Sequence, residues 1–277
     1  PGLPPAVIVI SGEMGVGKSR LIEEFQHYLK LNSFPYVSGN CYEGNRKAYQ
    51  PFIEILRQLL CNLGQDSEVC QKYRSEILRL LPELAKAEEQ AKDQGVRQDK
   101  EKHCFIDRLS QFLLEASASA PYILAVNNLH WVDEASLDLL ESLLERTAEL
   151  RAEGRAPKLI GIVSIRPEEP APDRLRDLLD GWKEKGLSRE VVVRRLKQSQ
   201  IEEFLCSMLS FTELPAGFVA KLMECTAGNP LFIVETLKTL EDDGILRNSG
   251  GSWSIKTASF DRIDIPQRMD DLLGKRL

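Results

Sequence analysis

Ala6-Val7-Ile8-Val9-Ile10-Ser11-Gly12-Glu13-Met14-Gly15-Val16-Gly17-Lys18-Ser19 is the stretch that decides the fold. Its first six residues form a continuous apolar, β-branched run, the pattern of a strand buried on both faces of a parallel sheet. The next eight have the spacing GxxxxGK[ST]. Glycines are needed there because backbone amides must turn inward and approach phosphate oxygens closely. The lysine of such a loop reaches the β- and γ-phosphates, the serine hydroxyl ligates magnesium, and the following helix adds its N-terminal dipole. Gly12, Glu13, Met14, Gly15, Val16, Gly17, Lys18 and Ser19 are therefore the candidate cradle for a purine nucleoside triphosphate, with Ser19 the candidate Mg2+ ligand.

Working outward, the loop should open a helix over Ser19–Leu31, with Leu21, Ile22, Phe25 and Leu29 on one face. A short strand is expected at Pro35–Ser38 and a helix at Pro51–Leu63, where the proline suits the first helical turn. Residues 65–97 are helical in pattern and highly charged, which suggests an exposed hairpin. Asp99–Ser117 is amphipathic, Tyr122–Val126 is a buried strand, Glu134–Leu150 a helix, and Leu159–Ser164 and Glu190–Val193 further strands. From Lys197 onward the pattern is helical. Ile201, Phe204, Leu205 and Met208 recur at helical spacing, as do Phe218, Val219, Leu222 and Met223, and Leu231–Leu240 forms a third helix. Asn248-Ser249-Gly250-Gly251 is a turn signal between two short strands, and Pro266–Leu277 reads as a closing helix. The fold class is thus α/β: a P-loop NTPase with a parallel central sheet (1–195), then a helical lid (196–243) and a small winged-helix-like element (244–277).

Composition narrows the function classes. The chain has 277 residues, is 43% hydrophobic, and carries a net charge of −6. An acidic chain has no global field drawing it to nucleic acid or an anionic membrane. Its apolar runs are strand-length, short of the roughly 20 residues a membrane helix needs. The six cysteines form no CxxC pair and the three histidines are isolated, which points to reduced thiols in the cytoplasm rather than a disulfide frame or a zinc site. The opening Pro1-Gly2 runs almost at once into a buried strand, so the chain reads as part of a longer protein.

A second signal is Tyr122-Ile123-Leu124-Ala125-Val126-Asn127-Asn128-Leu129-His130-Trp131-Val132-Asp133-Glu134-Ala135-Ser136. Together with Gly17-Lys18-Ser19-Arg20-Leu21, Cys41-Tyr42, Tyr49-Gln50-Pro51-Phe52, Ser164-Ile165-Arg166-Pro167-Glu168 and Ala227-Gly228-Asn229-Pro230-Leu231-Phe232, it resembles the AAA+/STAND signalling ATPase modules. Those modules are attached to bacterial transcriptional regulators, nucleotide cyclases and protein kinases. The resemblance runs through nearly the whole chain. It implies ATP or ADP with Mg2+ as ligands and extends the nucleotide-binding set to Arg20. It makes Arg166 a sensor arginine near the γ-phosphate, against the plainer reading of a loop arginine, and puts Pro230 against the adenine. His130 and Trp131 would support the loop rather than react. Expected partners are the nucleotide, other domains of the parent chain and further copies of the module; neither a membrane nor nucleic acid is expected.

The sequence departs from the family at one place. Asn127 and Asn128 stand where two acids are expected, one holding magnesium and one activating the attacking water. Asparagine keeps the shape but loses the charge, so it is a poor partner for a hard cation and no general base. No catalytic residue is therefore assigned. Three readings stand: a nucleotide-dependent switch with weak or absent hydrolysis, a turning-over ATPase using Asp133 or Glu134, and a DNA-handling module with a basic patch at Arg194-Arg195 or Lys275-Arg276. Asp133 and Glu134 also read as N-cap and first-turn charge of the next helix.

Overall fold

A computed structural model describes residues 5–44, 47–85, 100–155, 157–209, 214–249 and 252–255. The expected closing helix Pro266–Leu277, the Gly250-Gly251 turn and Lys275-Arg276 lie outside the described residues.

Five strands form one parallel sheet. They are β1 (Val7–Ser11), β2 (Tyr36–Asn40), β3 (Tyr122–Asn127), β4 (Leu159–Ile165) and β5 (Ser188–Val192), in the order β2-β3-β4-β1-β5. Parallel neighbours need crossovers, and the helices supply them. These are α1 (Lys18–Leu31) after β1, α2 (Gln50–Leu63) through α5 (Lys100–Ser119) between β2 and β3, α6 (Glu134–Ala152) between β3 and β4, and α7 (Asp173–Glu184) between β4 and β5. Tyr122 to Val126 are all buried, as befits a central strand with helices on both faces. Pro51 opens α2, and Gly64 ends it at φ +81, a conformation that L side chains avoid. Gly39 lets α2 approach β2: a Cβ there would lie 2.0 Å from the Pro51 carbonyl oxygen.

Between α2 and β3, α3 (Glu68–Lys72), α4 (Arg74–Leu80) and a short 3-10 turn at Pro82–Leu84 precede α5 (Lys100–Ser119). The charged stretch 65–97 is not an exposed hairpin as far as it is described. Cys70, Tyr73, Ile77 and Leu81 are buried in the core, and the Tyr73 ring meets Phe112 of α5 edge-on at 5.7 Å. The i, i+3, i+7 spacing of those residues is helical, and the surrounding charges obscured it. Leu21, expected on the buried face of α1, is 43% exposed, whereas Ile22 and Leu29 are buried. Helix α7 was not expected, because its sequence is mostly charged. It is anchored by Leu175 and Trp182.

A second core is built from α8 (Gln198–Leu209), α9 (Phe218–Thr226), α10 (Pro230–Asp242) and a hairpin of β6 (Leu246–Ser249) and β7 (Ser252–Ile255). Ile201, Leu205, Leu209, Phe218, Leu222, Ile233, Leu237, Leu240 and Leu246 fill it, while Met208 turns outward at 40% exposure. Contacts divide the chain into two compact units. One takes in Pro1–Ser11 and Arg20–Val192. The other takes in Gly12–Ser19 and Val193–Leu277, so the glycine loop groups with the helical segment rather than with the sheet. No helix among the described residues is long and apolar enough to cross a membrane.

Candidate nucleotide site

The loop follows the C-terminal end of β1. Gly15 and Gly17 lie at φ +78 and +103, in the region that glycine alone enters without strain. The Lys18 ammonium folds back over the loop and donates to the carbonyl oxygens of Gly12 at 2.5 Å and Glu13 at 2.8 Å. The Lys18 side chain is largely buried, and Ser19, next to it at the start of α1, is exposed. The Glu13 carboxylate accepts from Arg195, at 2.9 Å from Nε and 2.5 Å from Nη2. On the other flank, Asn229 caps α10: its Oδ1 accepts from the Leu231 amide at 3.0 Å, while its Nδ2 donates to the Met14 carbonyl at 2.9 Å. The Leu231 amide also lies 3.2 Å from the Gly15 carbonyl. A Cβ on Gly15 would come within 2.7 Å of Asn229 Oδ1 and 2.8 Å of Leu231 Cβ. Pro230 is the first residue of α10 and belongs to the same unit as the loop.

The sheet unit holds the remaining candidates. Asn127 ends β3, and its Nδ2 donates to Asn40 Oδ1 at 3.1 Å. Asn40 in turn donates from both its backbone and side-chain nitrogen to Glu54 Oε2, each at 3.0 Å. Tyr42 and Gln50 donate to the other oxygen of Glu54. Asn128 sits in the left-handed region at φ 55, and its amide donates to the buried Ser164 hydroxyl of β4 at 2.9 Å. Asparagine tolerates that conformation better than most residues. Just beyond β4, the Arg166 guanidinium lies over the Trp131 ring, 5.0 Å from its centroid, and pairs with Glu169 at 3.4 Å. The His130 ring is buried beside Trp131. Arg20 faces outward on α1 and pairs with Glu23 and Glu24.

The two acids that follow β3 are both engaged. Asp133 is the N-cap of α6: Oδ1 accepts from the amides of Ser136 at 2.9 Å and Tyr49 at 3.2 Å, and Oδ2 accepts from the Ser136 hydroxyl at 2.6 Å. Glu134 pairs with Arg174 at 3.3 Å. The Cys41 thiol, buried beside the end of β3, is pushed up to about 12 by burial and by the charges of Asp133 and Glu54. All six cysteines are free of disulfides. No group of three or more His, Cys, Asp and Glu residues among the described residues is placed to hold a metal ion.

A buried parallel strand, a glycine loop with an inward lysine and a helix opening on an exposed serine follow one another along the chain, which is the order of parts in a phosphate-binding loop. A family model described as the AAA ATPase domain matches residues 2–156. The chain belongs to that family. Membership implies nucleotide binding by a P-loop module. None of the curated proteins matches this sequence. Among solved structures, the Escherichia coli MS115-1 HORMA:CdnC:Trip13 complex is similar at a TM-score of 0.41 and 10% identity over 80% of this chain and 59% of that one. AMPPCP-bound DnaA from Aquifex aeolicus is similar at 0.43 and 13% identity, over 87% of this chain and 56% of that one. The chain therefore spans less than two thirds of either.

Asn229 and Arg195 escaped the sequence reading as partners of the loop. The Asn-Pro pair at the head of α10 is a legible N-cap signal, but nothing in it points to a carbonyl 215 residues earlier in the chain. Glu54 is likewise one more charge on a helix until Asn40 is seen beside it.

Proposed function

We propose that this chain is an ATP-binding regulatory module of a larger signalling protein, of the STAND kind, working as a nucleotide-dependent switch with slow or absent hydrolysis. The observation that carries this is the chemistry at the end of β3: Asn127 presents a carboxamide, already paired with Asn40, where hydrolysis needs a carboxylate. The acids nearest in sequence do not replace it, since both oxygens of Asp133 cap α6 and Glu134 pairs with Arg174. Losing a group that moves a proton in the transition state typically costs about 10²- to 10⁴-fold in rate. Binding relies on the loop amides and Lys18, none of which depends on that carboxylate, so ATP and ADP should be held.

In this reading Gly12 to Ser19 take the phosphates and Pro230 flanks the base, with Arg20 and Arg166 as further contacts. Mg2+ would be held by the Ser19 hydroxyl and the phosphates themselves. Magnesium in such sites is commonly shared between one or two carboxylates and the nucleotide, so the two asparagines weaken its protein-side grip. Nucleotide occupancy passes from the loop to α10 through Asn229, and the output goes to other domains of the parent chain or to further copies of the module. Of the basic pairs that would favour nucleic acid, Arg195 is already neutralised by Glu13.

The test is calorimetry of ATP with magnesium and phosphate release on the same sample, with Lys18→Ala as control. Binding that is lost in the control, with no phosphate release, supports the switch. Lys18-dependent turnover at ordinary ATPase rates would refute it.

A further inference from the structure

We propose that Asn229 is a positioning residue of the phosphate cradle: it fixes the peptide planes of the loop so that the Gly15 and Val16 amides are set for phosphate before nucleotide arrives. The inference rests on the nucleotide reading above and adds a residue to its site.

In a trans peptide, C=O and N–H point to opposite sides of one rigid plane. The Met14 carbonyl is aimed at Asn229 Nδ2, 2.9 Å away, so the Gly15 N–H of that peptide points away from α10. The Gly15 carbonyl is aimed at the Leu231 amide, 3.2 Å away, so the Val16 N–H also points away from α10. Two successive amides are thereby turned to the side opposite the helix, where the donors of a phosphate cradle have to be.

The clamp can do this only if Asn229 is itself immobile, and it is. Asn229 is 2% exposed, and its Oδ1 is fixed by the Leu231 amide at 3.0 Å. Its amide donates to Thr226 O at 3.0 Å, and its carbonyl accepts from Ile233 N at 3.0 Å. The preceding Gly228 is locked against Leu196: a Cβ there would meet the Leu196 carbonyl oxygen at 2.1 Å. Gly15 must be glycine for the same reason, because a Cβ would strike Asn229. Donors already oriented cost no reorganisation when charge arrives. Coupling is reciprocal, so phosphate on the loop must also hold Asn229 and the first turn of α10.

The experiment separates capping from clamping. Asn229→Ser keeps an N-cap oxygen for α10 but is too short to reach Met14. Asn229→Asp keeps size and cap, and puts a carboxylate against the Met14 carbonyl. Affinity for ATP and for inorganic pyrophosphate is measured by calorimetry for both variants, the wild type and Lys18→Ala, alongside hydrogen exchange of residues 12–19 without ligand. The expected result is a loss of about tenfold in affinity for ATP and pyrophosphate alike, the worth of one preorganised hydrogen bond, with faster exchange of the loop amides. A role confined to capping would leave Asn229→Ser, which adds no charge near the phosphates, with the affinity and loop exchange of the wild type, and that result overturns the inference. If Lys18→Ala binds as well as the wild type, the nucleotide reading fails first and the clamp fails with it.

Discussion

Gly15→Ala set against Gly17→Ala measures how tightly the loop is held to α10. Both glycines lie at positive φ, so an alanine at either costs about 1–2 kcal/mol of backbone strain. The two positions differ in what surrounds them. Among the described residues nothing lies within 4 Å of a Cβ on Gly17, whereas a Cβ on Gly15 comes within 2.7 Å of Asn229 Oδ1 and 2.8 Å of Leu231 Cβ. Neither neighbour is the free end of a long side chain. Overpacking of this kind costs about 1–3 kcal/mol more. Gly15→Ala should therefore lose about 2–5 kcal/mol and Gly17→Ala only the strain. The difference is read by hydrogen exchange in the first turns of α10, where 1–3 kcal/mol of extra opening is about a 5- to 150-fold faster rate. Equal exchange in the two variants would mean that the loop does not press on Asn229 and Leu231, and would refute the proposed clamp.

Three further outcomes follow from other parts of the molecule. Arg195→Ala removes an ion pair whose partners are 41% and 52% exposed, so stability should fall by less than about 1 kcal/mol; a larger drop in urea denaturation would show that Glu13 needs Arg195 to hold the loop. Burial pushes the Asp138 carboxyl up, but hydrogen bonds from Lys102 and Arg174 outweigh it and hold the group below its usual range, and Glu76 is lowered by Arg108 against the same opposition. A carboxylate with a depressed folded pKa stabilises fully above its unfolded value near 4 and loses that contribution as pH falls through the folded value. The melting temperature should fall below about pH 4, and Asp138→Asn should flatten that acid limb; an unchanged limb contradicts the assignment. Cys41, buried and raised to about 12, should resist iodoacetamide at pH 8 while the exposed Cys61 and Cys104 react, as mass spectrometry of the alkylated peptides can check.

The fold was legible where one physical signal dominated. Ala6 to Ser11 could be a buried strand because nothing polar interrupts it, and the loop could be located because its chemistry admits so few residue types. The signal weakened where charge and burial share a segment. Cys70, Tyr73, Ile77 and Leu81 are buried among lysines, arginines and glutamates that cover the outer faces of α3 and α4, and α7 buries only Leu175 and Trp182 among its twelve residues. Leu21 and Met208 were expected inside because the helical face was drawn one position too wide. In the candidate site, residues acting through their own type could be read: Lys18, Ser19 and the two asparagines. Those acting through a partner could not. Trp131 beneath Arg166, Asn40 between Asn127 and Glu54, and Asn229 on the loop each depend on contacts that only the folded chain brings together.

As proposed, bound ATP persists because the end of β3 lacks its two acids. Asn127→Asp with Asn128→Glu restores both charges while keeping side-chain shape at the first position and adding one methylene at the second. Single-turnover phosphate release from bound ATP tests this. The wild type should stay near the uncatalysed baseline and the double variant should release phosphate faster by about 10²-fold or more, with Lys18→Ala silent in both backgrounds. A wild type that already turns over as fast as the double variant would contradict it.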